Sequence, residues 1–158
     1  DLIAKALAPH SPETSAIEAG RRMLERIRAL RGERRTFAFE TTLASRTFAK
    51  FLREAQGLGY VVHVVYVALR SADLAVNRVQ LRVARGGHDI PEETVRRRYD
   101  RSLQNFFQLY LPLADGWEVW DNSERAPVLV ARGVSAESEV LDADQWARFN
   151  EHGTRDGR

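Results

Sequence analysis

Arginines crowd one short stretch of the chain. Arg78, Arg82 and Arg85 lie at roughly helical spacing before Gly86-Gly87, and Arg96, Arg97, Arg98 and Arg101 follow the glycines. Glycine accepts the sharp reversal that would bring the two sets together. A guanidinium grips two phosphate oxygens at once and stays charged at any physiological pH. Phosphoryl transfer asks a protein mainly for positioning and for positive charge around the moving group. The stretch therefore suits a hinged lid, about residues 78–98, that closes over a nucleotide and excludes water. The alternative is a solvated helical hairpin whose arginines pair with Glu92, Glu93 and Asp100.

Three polar clusters offer further chemistry. Glu40-Thr41-Thr42 follows the aromatic run Thr36-Phe37-Ala38-Phe39, which is expected to form a strand. A carboxylate beside two hydroxyls suits a polyhydroxylated substrate, although Thr42 or Ser45 could equally cap the next helix. Arg70-Ser71 and Asp121-Asn122-Ser123 end two other expected strands. If those strands run parallel, the clusters stand together at one sheet edge, where ligands of such sheets bind. Asp1, ahead of an apolar segment, could act as a general base for a hydroxyl. His10, His63, His88 and His152 show no ligand spacing, so no metal site is expected. His63 reads as a packed core histidine.

The elements that would position these groups alternate between helix and strand. Ser11-Pro12-Glu13 starts a helix that Gly32 ends, with Leu24, Ile27 and Leu30 on its apolar stripe and Arg21, Arg22, Arg26 and Arg28 off it. A second helix runs from about Ser45 to Gly57, with Phe48, Phe51, Leu52 and Ala55 inward. Val61 to Leu69 is nearly all apolar and β-branched, which predicts a strand buried on both faces. Ser71 and Asp73 start a third helix through Arg85, and Pro91 opens a fourth that carries Val95, Tyr99, Leu103, Phe106 and Tyr110. Strands follow at Trp117-Trp120 and Val128-Val130. From Val134 the chain turns polar, anchored only by Trp146 and Phe149, as a loosely docked helix or a frayed end. The expected class is α/β, a mainly parallel sheet flanked by helices, with a helical lid.

Composition narrows the function. The chain has 158 residues, enough for one domain with a real core. It has no cysteine, which excludes disulfides and suits a cytoplasmic location. No apolar run approaches a membrane span. Lys+Arg of 24 against Asp+Glu of 22 leaves +2, which argues against nucleic acid as a partner.

With these residues assembled, the chain resembles the zeta-toxin-like P-loop kinases, many of them described as predicted ATPases. The matching stretches are "DLIAKALAPHSPETSAIEAGR", "FAFETTLASRTF", "RVQLRVARGGHDIPEETVRRRYDRSLQNF" and "WEVWDNS", in order over residues 1 to about 131. The related zeta toxins phosphorylate UDP-N-acetylglucosamine with ATP and magnesium. The resemblance implies a P-loop kinase fold, ATP and Mg2+ as cofactors, and transfer of the γ-phosphate to a hydroxyl. It makes Asp1 the catalytic base that deprotonates the acceptor hydroxyl, and has Glu40, Thr41 and Thr42 face the acceptor. It makes Arg78 and Arg82 the lid arginines, with Arg85, Arg97 or Arg98 adding charge, and puts Asp121 and Asn122 near the nucleotide base. The position of a second lid arginine of the zeta toxins falls near His88.

The phosphate-binding loop, Gly-x-x-x-x-Gly-Lys-Ser/Thr, occurs nowhere in these residues. Residues 1–133 are thus expected to be a kinase-like domain without its first strand, phosphate loop and first helix, and 134–158 a polar C-terminal extension. The chain starts at Asp1 rather than methionine, so a processed or truncated product is expected. Such a product would bind ATP poorly by itself. A non-catalytic binding or oligomerisation module is the alternative. Expected partners are a nucleotide and a small acceptor, together with an antitoxin protein or a second copy of the chain.

Overall fold

A computed structural model describes residues 12–154. The chain divides into two compact units, Asp1–Glu40 and Thr41–Arg158. Asp1 and His10 lie outside the described residues.

In the first unit, α1 spans Pro12–Gly32. Glu18 sits one turn before Arg21 and Arg22, at 3.3 and 3.0 Å. The hydrogen bond from Arg22, helped by the charge of Arg21, holds its carboxyl below the ordinary value. Ile27 is buried while Arg21, Arg22, Arg26 and Arg28 are exposed, as the apolar stripe predicts. The helix closes through Arg35 N–H to Leu30 O at 2.9 Å. The expected strand at residues 36–39 is not there. The rings of Phe37 and Phe39 stack on each other at 6.4 Å, but among the described residues no strand forms a ladder with this segment, and a strand exists only as one side of a ladder. Glu40, placed by the sequence at a buried strand end, is exposed.

In the second unit, α2 spans Thr47–Gln56 and buries Phe48, Ala49 and Ala55. The other elements are β1 (His63–Ala68), α3 (Ala72–Ala84), α4 (Glu92–Asn105), β2 (Gly116–Asp121), β3 (Val128–Val134), β4 (Glu137–Val140) and α5 (Ala143–Thr154). The strands form one sheet in the order β1-β2-β3-β4. Only β1 and β2 run parallel, while β2–β3 and β3–β4 are antiparallel. The sheet is thus mixed, where a mainly parallel one was expected. Only six residues, 122–127, join β2 to β3. A parallel connection needs a crossover of about a dozen residues or more, so this one can only be a hairpin.

Among the described residues β1 is an edge strand, and only one of its faces is covered. Val62, Tyr66 and Ala68 are buried, while Val65 and Val67 are more than half exposed. The expectation of two buried faces fails because apolarity says nothing about how many layers pack on a sheet. His63 falls on the open face, half exposed, with Nε2 3.9 Å from Glu118, and is not a core histidine.

The covered face carries the core. Tyr66 stacks on Phe106 at 4.5 Å, and Trp117 stacks on Trp146 of α5 at 5.4 Å. α4 runs into a π-helical turn, Phe106–Tyr110, closed by Leu111 N–H to Phe106 O at 2.7 Å. The wider turn puts Phe106, Phe107 and Tyr110 all in the interior. Residues 134–154, expected to be polar and loosely attached, contribute β4 and α5. Phe149 of α5 is 2% exposed, and Trp146 meets Phe107 edge-on at 5.3 Å. The helix is docked rather than frayed.

Close approach at Gly153 sets that docking. A Cβ there would meet the Phe107 ring and lie 3.0 Å from the Leu103 carbonyl, a backbone atom that cannot swing aside. Gly153→Ala should therefore cost about 1–3 kcal/mol through overpacking, read as a lower urea midpoint.

Burial also shapes the alkaline limb of stability. Burial, aided by the nearby charges of Asp100 and Asp121, pushes Tyr99 up to about 12; burial raises Tyr66 as well. Unfolded tyrosine ionises near about 10. Because the folded pKa is the higher one, the contribution is intact below about pH 10 and is lost as pH rises toward the folded value. The urea midpoint should fall steadily above about pH 10, and Tyr99→Phe should flatten that fall.

Candidate functional site

The parallel pair β1 and β2 brings two of the three polar clusters to one edge, with Ala68 in register with Asp121. Asn122 N–H donates to Ala68 O at 2.9 Å, and Arg70 N–H donates to Ser123 Oγ at 2.8 Å. The guanidinium of Arg70 pairs with Glu124, and its Nε lies 3.7 Å from Asp121 Oδ2. Asp121 Oδ1 accepts from Ser123 N–H at 2.8 Å and from Ser123 Oγ. The turn after β2 is thereby welded to the turn after β1.

Helix α3 starts from that weld. Ser71 Oγ caps α3 by accepting from Leu74 N–H at 3.2 Å. Ser71 is thus a cap, which does not prevent its neighbours from forming a site. Two turns on, Arg78 Nη2 donates to the Asn122 carbonyl. Gly86, at φ +83, and Gly87 reverse the chain. A Cβ at Gly87 would lie 2.6 Å from Arg82 Cγ, so the reversal needs a glycine at that place. Arg82 Nη2 reaches across the turn to His88 O at 3.1 Å.

The hairpin sorts its arginines into two groups. Arg96 bridges Asp73 and Glu92 at 2.6 and 2.8 Å, locking α3 to α4. Its hydrogen bonds to Glu92 and Asp73 raise its pKa above the ordinary arginine value. Arg97 sits 3.7 Å from Glu93 and donates to Thr94 Oγ1 at 3.3 Å. These two follow the solvated-hairpin pattern, whereas Asp100 pairs with His152 at 2.9 Å instead of with an arginine. Arg78 and Arg82 bond only to carbonyl oxygens, and among the described residues Arg85 and Arg98 have no carboxylate partner. Arg101 of α4 has none either, so among the described residues five cationic side chains remain uncompensated on one hairpin, a surplus suited to anionic ligands.

Thr41 and Thr42 stand in the second unit, but their hydroxyls serve their own turn. Thr41 Oγ1 accepts from Leu43 N–H at 3.3 Å and Thr42 Oγ1 from Ala44 N–H at 3.5 Å. Ser45 Oγ accepts from Thr47 N–H at 3.2 Å at the start of α2. Among the described residues no hydrogen bond joins Thr41 or Thr42 to the lid arginines or to Asp121. A cavity of about 210 Å³ opens beside Asp121, between Arg70, Tyr99, Gln145, Arg148 and His152. Sequence reasoning missed Gln145, whose amide holds Asp121 from α5. Its only sequence signal, glutamine three residues after Asp142, points to a capping box instead.

Among the described residues, no group of three or more His, Asp or Glu could hold a metal ion. Asp121, the one carboxylate at the strand ends, already accepts from Ser123 and Gln145. The described residues do not by themselves fit Mg2+. Also among the described residues, no helix is long and apolar enough to cross a membrane.

A model of the family described as "Zeta toxin" matches residues 5–127. The chain belongs to the zeta toxin family. Membership places it among kinase-like, ATP-using proteins of the P-loop class. The matched span contains the whole α3–α4 hairpin and the Asp121-Asn122 turn, and stops short of β3, β4 and α5. An uncharacterized protein of Haemophilus influenzae is 29% identical over 99 residues, which cover 63% of this chain and 71% of that protein. No solved structure is significantly similar to the chain.

Proposed function

We propose that this zeta toxin family protein is an ATP-dependent small-molecule kinase that moves the γ-phosphoryl group of ATP to a hydroxyl, with a UDP-amino sugar as the acceptor class. The observation that carries this reading is the carbonyl-bound, uncompensated pair Arg78 and Arg82 on a glycine-turned hairpin rooted at the Asp121-Asn122 turn. Charge that spreads over the transferred phosphoryl is met there by guanidiniums with no carboxylate to satisfy. Arg85, His88, Arg97 and Arg98 extend the same surface, and Asp121 and Asn122 stand at the nucleotide base. Glu40, Thr41 and Thr42 would grip the acceptor, and Asp1 would take its proton. Under this reading ATP and Mg2+ are the cofactors of the full-length protein, with the metal held by groups other than the described residues, the cytoplasm is the location, and an antitoxin is the protein partner.

The test is phosphate transfer from γ-labelled ATP by the full natural protein to a panel of UDP-amino sugars and nucleosides. Transfer to one acceptor class supports the reading; no transfer to any of them, with no ATP binding, ends it.

A second reading, a non-catalytic self-associating module, is favoured by one observation. Among the described residues the edge strand β1 leaves Val65 and Val67 open, and residues 60–69, which include it, carry no Lys, Glu, Asp or Pro. Strand edges without such residues are prone to pair with another chain. Sedimentation decides: a concentration-dependent dimer indifferent to ATP favours this reading, and a monomer removes it.

A further inference from the structure

Gln145 is 6% exposed, and its amide must find partners inside the fold. Its Nε2 donates to Asp121 Oδ2 at 3.1 Å, while Ser123 holds the other oxygen, Oδ1. Each oxygen of that carboxylate thus has its own hydrogen-bond donor, one from the turn and one from the last helix, and Arg70 Nε adds an ion pair to Oδ2 at 3.7 Å. Asp121 alternates with Trp117 and Val119 along β2 and so points to the face that α5 covers. The position of Gln145 is fixed in turn. Asp142 Oδ1 accepts from Gln145 N–H at 3.0 Å at the start of α5, and the next residues inward are Trp146 and Phe149. The residue after Asp121 is Asn122, whose carbonyl takes the Arg78 guanidinium.

We propose that Gln145 is a positioning residue of the nucleotide site. Through Asp121 it sets where Asn122 presents its carbonyl to Arg78. That makes α5, beyond the residues matched to the family, a working part of the site. The inference rests on the reading above that the Asp121-Asn122 turn lies at the nucleotide base.

Without the Gln145 hydrogen bond, Oδ2 keeps only the looser 3.7 Å ion pair with Arg70, and the carboxylate can rotate about its terminal bond, a soft torsion. Rotation weakens the hydrogen bond that orders Ser123, and the turn loosens with it. The geometry also offers a reversal. Combining Asp121→Asn with Gln145→Glu exchanges donor and acceptor across the same 3.1 Å gap and keeps the acceptor oxygen for Ser123.

The experiment has two arms on the full natural protein. The first measures the dissociation constant of a non-hydrolysable ATP analogue for wild type, Gln145→Leu, Gln145→Glu and the reversed pair. The second measures amide hydrogen exchange at Asn122 and Ser123 without ligand. Each single change at Gln145 should weaken the analogue about tenfold, and the reversed pair should recover to within about threefold of wild type. Exchange at Ser123 should speed up in the single variants and slow again in the pair. A merely structural role for α5 would not be rescued by a change at Asp121. Equal weakening in the single variants and the reversed pair, or unchanged exchange at Ser123, overturns the proposal. Wild-type protein that binds no analogue removes the base-site reading, and with it any nucleotide role for Gln145. The exchange arm then still decides whether Gln145 governs the turn.

Discussion

Replacing Arg78 or Arg82 by alanine is expected to lower kcat/KM for phosphate transfer by about 10³-fold, because an arginine on the moving phosphoryl commonly contributes that much or more. The two losses should differ in kind. Arg78 bonds across to Asn122 O, so its removal also frees the root of the lid. Arg82 bonds to His88 O within the hairpin, so its removal loosens the tip alone. Arg78→Ala should therefore raise KM for ATP as well as lower kcat, whereas Arg82→Ala should act mainly on kcat. Lysine at either place keeps the charge but not the two-pronged grip, and should recover only part of the loss. Arg96→Ala is the informative comparison. Arg96 is engaged by Asp73 and Glu92 at 42% side-chain exposure, where solvent screens ion pairs and leaves them little effect on stability. Activity within about threefold of wild type is expected for it. Loss at Arg96 equal to that at Arg78 would mean that the hairpin needs only its shape, and the charge argument would fail.

That contrast also separates what was legible in the sequence from what was not. The helices announced themselves through local chemistry: Pro12 at the head of α1, Ser71 as a cap, and Gly86-Gly87 at the reversal between α3 and α4. Such signals act within a few residues, and the structure keeps them. The strand at Val61 to Leu69 was legible as a strand, but its place at the sheet edge was not. Apolar β-branched residues favour extended backbone whether one face is covered or two. The direction of β3 was legible in principle, since six residues cannot carry a parallel crossover. The aromatic run at residues 36–39 failed for a different reason. Local preference cannot supply the ladder partner on which a strand depends.

The site shows the same division. Arg78, Arg82 and the Asp121-Asn122 turn stood out by residue type, and one helix and a parallel register bring them together. No sequence signal told the paired Arg96 and Arg97 from the uncompensated Arg78 and Arg82, because pairing depends on which carboxylates the hairpin closes upon. Gln145 was hidden further still. It lies 24 residues from Asp121, and its spacing from Asp142 suggested a purely local duty. Thr41 and Thr42 mark the opposite error. Hydroxyls that look available in a list of residues are occupied by the N–H groups of Leu43 and Ala44.

Phe106→Ala should be among the most destabilising single changes in the second unit, at about 3–5 kcal/mol. Its ring is fully buried, stacked on Tyr66 at 4.5 Å and edge-on to Phe107 at 5.0 Å. It begins the π-helical turn that turns three aromatic side chains inward, so removing it leaves a cavity that its neighbours, already held by other contacts, cannot close. Tyr66 is fixed at its far end by Ser102 Oγ at 2.8 Å, and Tyr110 by Ser45 O at 2.6 Å. Against a typical domain stability of about 5–15 kcal/mol, the loss would leave a large unfolded fraction at 37 °C, visible in the urea midpoint and in near-ultraviolet circular dichroism. Val65→Ala, on the open face of the same strand as Tyr66 and 54% exposed, should change stability by less than about 0.5 kcal/mol. The pair of measurements tests which face of the sheet carries the fold. It bears on the site as well, because Tyr66 stands two residues before Ala68, whose carbonyl holds Asn122 in place. A milder variant, Phe106→Leu, should therefore loosen Asn122 N–H exchange before it unfolds the domain. Protection at Asn122 unchanged in that variant would show that the strand end is held independently of the core beneath it.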